Sequence, residues 1–201
     1  MSLKTLAPVL LLSFLATAAQ VPELRTEPIG GGSVFFVKNT SSQPLTAYLI
    51  ELVDYPGSSY SLWQDDITSP VAPGVEKRIQ ITNMTAGAVP DYMKIQAAIY
   101  ADGSTAGVPE KVTQFIERRK AVLATTRELI ARIEKGATKA DLMQWAESLQ
   151  PVGKVRPNSQ PVINQAAARS LVLETAAKLD AHSTETLRAA EKALATSKPP
   201  L

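Results

Sequence analysis

Asp65 and Asp66, with Asp54 and Asp102 as possible neighbours, are the residues whose type best suits acid–base chemistry. A pair of carboxyls can divide the work of proton donor and base in a hydrolase-like enzyme. Such a site needs the acids to converge, and adjacent residues on an extended chain point to opposite faces. The spacing of Asp65 and Asp66 therefore gives no shared site, and turn capping is the ordinary role of such residues. His182 is the only histidine and sits in the polar run Asp180-Ala181-His182-Ser183-Thr184. It reads as a solvent-facing residue at a helix joint. The chain has no Gly-x-Ser-x-Gly elbow, Ser-x-x-Lys pair or His-Glu-x-x-His helix. It has no cysteine, which removes thiol catalysis and Cys-ligated zinc. No loop carries the Asp/Asn spacing of a calcium site, and Gly30-Gly31-Gly32 lacks the strand and helix context of a dinucleotide loop. We expect no catalytic residue, no metal and no cofactor.

Rings offer a different chemistry. Tyr55-Pro56-Gly57-Ser58-Ser59-Tyr60-Ser61-Leu62-Trp63 presents two tyrosines and a tryptophan in one stretch. Such rings supply a large contact area at small entropic cost and suit peptides or sugars. Tyr55, Tyr60 and Trp63 are the candidate binding residues, with Trp63 also suited to a core role because it falls in an expected strand. Arg118-Arg119-Lys120 could meet phosphates but reads as a solvated helix face.

The elements that must position these residues follow from periodicity. Ser33–Asp54 reads as two strands joined by the polar turn Asn39–Pro44. Val21–Gly32 reads as an extended lead-in. In the second strand Leu45, Ala47, Leu49 and Val53 share one face and Tyr48, Ile50 and Leu52 the other, so both faces are apolar and both should be covered. Tyr60–Ile67 is a short strand, Val75–Thr82 alternates with one face in water, and Met93–Ala101 repeats that pattern with Met93, Ile95, Ala97, Ile99 and Ala101 inward. Asp102-Gly103 marks a tight turn into a last short strand.

At Val108 the period changes to that of a helix. Val112, Phe115, Ile116, Val122, Leu123, Leu129, Ile130 and Ile133 recur at helical spacing, interrupted at Arg119 and Thr126. Thr138 with Asp141 signals a capped restart after Gly136, and further helices follow through Leu179 and Leu194. The expected fold is α+β, an N-terminal immunoglobulin-like antiparallel β-sandwich over 20–107 followed by a helical region of three to four helices over 108–201. Because the Leu45–Val53 strand has a spare apolar face, the helix from Val108 to Lys135 should pack on the sheets.

Residues 1–19 read as a signal peptide. Lys4 precedes the apolar run Leu6–Ala16, and Ala16-Thr17-Ala18 supplies small residues for cleavage. The run falls well short of the roughly 20 residues that span a bilayer, so no membrane span is expected. The formal charge of +2 gives no case for nucleic acid. It is unevenly spread, with nine acidic and five basic residues from Gln20 to Gly107 against ten acidic and fifteen basic residues from Val108 onward. Asn39-Thr40-Ser41 and Asn83-Met84-Thr85 match the glycosylation pattern, which also arises by chance.

At Asn39–Leu52, Pro73-Gly74 and Ile99–Gly107 the chain resembles a loose group of exported bacterial proteins in which a small immunoglobulin-like sandwich precedes helices. The resemblance implies that fold and export, and carries no activity. The expected function is a non-enzymatic secreted or periplasmic binding protein whose partner is a protein or glycan of the cell envelope. The alternatives are a carboxylate-dependent hydrolase using Asp65, Asp66 or Asp102, and a self-associating structural protein of the envelope.

Overall fold

Strand β1 (Glu23–Ile29) and strand β2 (Gly32–Lys38) form a hairpin in the computed structural model, which describes residues 19–54, 58–82, 92–150, 156 and 158–201. All but the last residue of the expected leader, Tyr55, the triplet Asn83-Met84-Thr85 and most of the connector after Gln150 lie outside the described residues. Gly31 turns the hairpin at φ 81°, a backbone angle that favours glycine. The lead-in is therefore a paired strand, because its alternating residues find a full ladder along β2. On its other side β2 pairs with β5 (Glu76–Thr82), giving the order β1-β2-β5.

The second sheet is built on β3 (Leu45–Asp54), flanked by β4 (Ser58–Asp65) and β6 (Tyr92–Tyr100), with β7 (Thr105–Gly107) outside β6. All pairings in both sheets are antiparallel. β2 and β3, expected as partners across a turn, belong to different sheets. Asn39 makes the crossing. It is fully buried, and its side-chain nitrogen donates to the carbonyls of Gln43 and Val71, both at 2.8 Å. That nitrogen is thereby engaged inside the fold.

The two sheets share a core of Phe35 and Val37 from β2, Tyr48, Ile50 and Leu52 from β3, and Ile95, Ala98 and Tyr100 from β6. The opposite face of the second sheet, made by Ala47, Leu49, Ala97 and Ile99, is covered by Val112 and Phe115 of helix α1 (Pro109–Glu134). β3 is thus buried on both faces, as its sequence requires. Two irregularities alter the expected alternation. One lies between Leu45 and Ala47, where Thr46 is an extra residue and Leu45 turns to the inter-sheet core; the other sets Gln96 as the extra residue of β6. A bulge reverses the parity of everything beyond it. Met93 and Ile95 therefore face the other sheet while Ala97 and Ile99 face the helix. β6 has no wet face at its second half, since Ala97 through Tyr100 are all fully buried.

Gly107 joins the sheets to α1 at φ 100°, and a β-carbon there would lie 2.2 Å from the Gln96 carbonyl oxygen. The farther half of α1 packs with α2 (Lys139–Ser148), α3 (Gln160–Ala177) and α4 (Ser183–Ala195) around Leu129, Leu142, Ala146, Val172, Ala176 and Leu187. The capped restart expected at Thr138 and Asp141 is present, as a capping box. Asp141 N–H donates to the Thr138 hydroxyl at 3.3 Å, and Thr138 N–H to the Asp141 carboxylate at 2.8 Å. No helix among the described residues is long and apolar enough to cross a membrane.

Tyr48 and Tyr100 are both fully buried. Burial pushes the Tyr100 phenol up to about 12, and it pushes Tyr48 up as well, with the Asp66 charge adding to the effect. A phenol that resists ionisation only when folded leaves stability whole below its unfolded pKa of roughly 10 and removes it as pH rises further. Tyrosinate absorbance should therefore show Tyr48 and Tyr100 titrating late, with stability falling above about pH 10. Five tyrosines ionising together near that pH in the folded protein would contradict the burial.

Candidate functional site

Arg119 organises the joint between α1 and the second sheet. It lies four residues after Phe115 on the helix and is 1% exposed. Its guanidinium grips Asp65 through two bonds, Nη2 to Oδ1 at 2.8 Å and Nε to Oδ2 at 3.0 Å. Nη2 also reaches the Thr46 carbonyl at 3.1 Å. That carbonyl lies at the bulge of β3 and accepts the Asp66 N–H at 2.8 Å too. The basic triplet is therefore no solvated face at its centre. Thr126, the other polar residue in the stripe, is buried with its hydroxyl donated to the Val122 carbonyl at 2.8 Å. Neither residue interrupts the packing, because each carries its own hydrogen-bond partner.

The acids expected as a possible catalytic group are dispersed to separate partners. Asp65 holds Arg119, and Asp66, just past the end of β4, turns to a different partner and pairs with Lys77. Asp102 stays in its turn, where hydrogen bonds from the Ser104 hydroxyl and N–H hold its carboxyl below the usual range. No group of three acids or histidines among the described residues could hold a metal ion. His182 is exposed just before α4, where Asp180 accepts from the N–H of His182 at 2.9 Å and from the Ser183 hydroxyl at 3.0 Å. These three residues form a helix start, and the imidazole has the Glu185 carboxylate 3.9 Å from its Nδ1, with both side chains in solvent.

The aromatic stretch does lead to a site. Tyr60 and Trp63 lie on β4 and line a cleft of about 470 Å³ between that strand, Arg118 of α1 and the first half of α3. Tyr60 is half exposed. Trp63 is partly buried and rests on Phe115, with ring centroids 5.2 Å apart at 57°. It thus belongs both to that packed cluster and to the lining of the cleft. Tyr55 lies outside the described residues.

Two features of the cleft were not read from the sequence. Its far wall is the face of α3 carrying Val162, Ala166 and Ser170, held on α1 by Gln160, whose side-chain nitrogen donates to the Gln114 carbonyl at 3.1 Å. Its cation is Arg118, half-buried, and no hydrogen bond or ion pair joins it to another described residue. Burial lowers its pKa, Asp65 and Glu174 oppose that from a distance, and Arg119 adds to it. The spacing from Phe115 held a signal. Residues three and four places after a buried Phe lie on or beside its stripe, so Arg118 and Arg119 both fall near the packed face of the helix.

Among the described residues, no acid and no imidazole lines the cleft. Its groups are rings, a guanidinium, amides and hydroxyls, which suit recognition and have no proton acceptor of their own beyond weak ones. Comparison of the chain with protein-family models, curated proteins and solved structures found no match.

Proposed function

We propose that the protein is a non-enzymatic binding protein, exported from the cytoplasm, that holds a component of the cell envelope in the cleft between β4 and α3. The observation that carries this reading is the convergence on one concavity of Tyr60, Trp63 and Arg118, whose guanidinium lies 5.9 Å from the Phe115 ring and has no hydrogen-bond or ion-pair partner among the described residues. Aromatic and arginine side chains dominate binding energy at recognition surfaces. Export rests on the apolar run Leu6–Ala16 with its small-residue cleavage motif. The strand order, three in one sheet and four in the other with successive crossings, supports an immunoglobulin-like sandwich as the frame.

Trp63 gives the test. The chain has two tryptophans, so Trp145→Phe leaves Trp63 as the sole reporter. Its fluorescence should respond to one of two probe sets, cell-wall oligosaccharides or a mixture of capped peptides. Tyr60→Ala combined with Arg118→Gln should weaken that response about tenfold or more, since each loses a contact at the site. Silence of Trp63 toward both sets, or binding unaltered in the double variant, would contradict the reading.

A further inference from the structure

Four strands form the outer edges of the two sheets, and three of them are defended. An exposed edge is a template for another chain, and proteins usually blunt it with charges, proline or shortness. β1 carries Glu23, Arg25, Glu27 and Pro28; β5 carries Glu76, Lys77 and Arg78; β7 is only three residues long. β4 is different. Tyr60–Gln64 holds no charge and no proline, and the strand's one charge, Asp65, is turned inward onto Arg119.

The cleft runs along this undefended edge. Tyr60, Ser61, Leu62, Trp63 and Gln64 all line it. Consecutive residues of a strand point to opposite faces, so a pocket on one face would collect every second residue. Five in succession mark an opening on the hydrogen-bonding edge itself. In an antiparallel pair, alternate residues exchange both bonds with the partner while the others turn N–H and C=O outward. Among the described residues, no backbone hydrogen bond joins Tyr60–Gln64 to anything but β3.

We infer that the cleft takes a polypeptide segment in extended conformation, added as a further strand on β4, with an acidic side chain of that segment set against Arg118. This deepens the reading above and rests on it. Main-chain bonds along the open edge would supply the affinity, and pockets for alternate side chains the selectivity. Trp63 and Asp65 place the helix side of β4, and Arg118 lies on that side. Side chains of the added strand that point the same way would face Arg118 and the small residues Ala166 and Ala167 of α3, which share the lining of the cleft. A carboxylate followed two places later by a small apolar residue fits this wall. A second copy of the chain fits less well, because two-fold pairing through β4 would bring Arg118 toward its own counterpart.

The experiment uses the full chain with capped, randomised peptides of about six residues, a usual strand length. Selection should enrich Asp or Glu at one position with small apolar residues two places away. Methylating backbone nitrogens of an enriched peptide at one parity should weaken binding about tenfold, and at the other parity leave it unchanged. Arg118→Gln should abolish the preference for Glu over Gln in the peptide while neutral peptides still bind. Binding indifferent to methylation at either parity, or an acid preference that survives Arg118→Gln, would overturn the inference. So would self-association blocked by Tyr60→Lys, which would name a second copy as the occupant. Oligosaccharide binding alone would overturn the strand addition and leave the binding reading standing, whereas silence toward both probes would remove both.

Discussion

Replacing Arg119 with alanine should destabilise the protein by about 3–5 kcal/mol, the cost of leaving one member of a buried ion pair without its partner. Asp65 is 14% exposed and has the guanidinium as its charge partner. The Thr46 carbonyl would also lose a donor, though it keeps the Asp66 N–H. Substituting both partners by apolar residues, Arg119→Met with Asp65→Leu, should recover most of the loss, because no isolated charge then remains. Urea unfolding would show this as a lowered midpoint at unchanged slope for the single variant. A loss under about 1 kcal/mol, the range of solvent-exposed pairs, would show that the joint is wet.

Phe115→Ala should cost about 3–5 kcal/mol, the range for emptying a large ring from a packed core. Phe115 is fully buried and belongs to the cluster of Ala47, Leu49, Ala97, Ile99 and Val112, where helix and sheet meet. The residues facing it are small or fixed in strands, so the vacated space cannot close by local collapse. Trp63 would lose the ring it rests on, and its emission should shift to longer wavelength in the folded variant. The same substitution would be felt in the cleft, because Trp63 and Arg118, which line it, both lie against that ring. A loss near that of an exposed residue, with Trp63 emission unchanged, would mean that α1 is not held on the sheet through Phe115.

The switch from twofold to helical periodicity after Gly107 was legible, and so was the docking of the first helix, since an apolar face on β3 and an apolar stripe on α1 each need cover. That Asp65 and Asp66 would not share a site followed from adjacency alone. The helix joint at His182 and the capped restart at Thr138 and Asp141 are local signals and could be read locally. What escaped was non-local. A bulge adds one residue to a strand, and nothing in the alternation of Leu45–Asp54 or Met93–Ala101 shows where Thr46 or Gln96 will leave the ladder. β1 looked like a linker because its partner strand lies on the other side of a glycine turn and its apolar residues are few. Arg119 looked solvated because its partner, Asp65, is 54 residues away. The cleft was half visible. The rings of β4 announced it, but its wall on α3 lies about a hundred residues farther along the chain, and only the fold brings the two together.

Amide hydrogen exchange of the full chain, free and saturated with a peptide selected through Trp63, tests the open edge of β4 most directly. In the free protein, alternate amides within Tyr60–Gln64 should exchange fast while their neighbours, bonded to β3, exchange slowly. With the peptide bound, those fast amides should slow, together with the face of α3 around Ala166, and the edges of β1, β5 and β7 should be unaffected. Uniform slow exchange along β4 in the free protein, or protection that appears at another edge, would contradict the account.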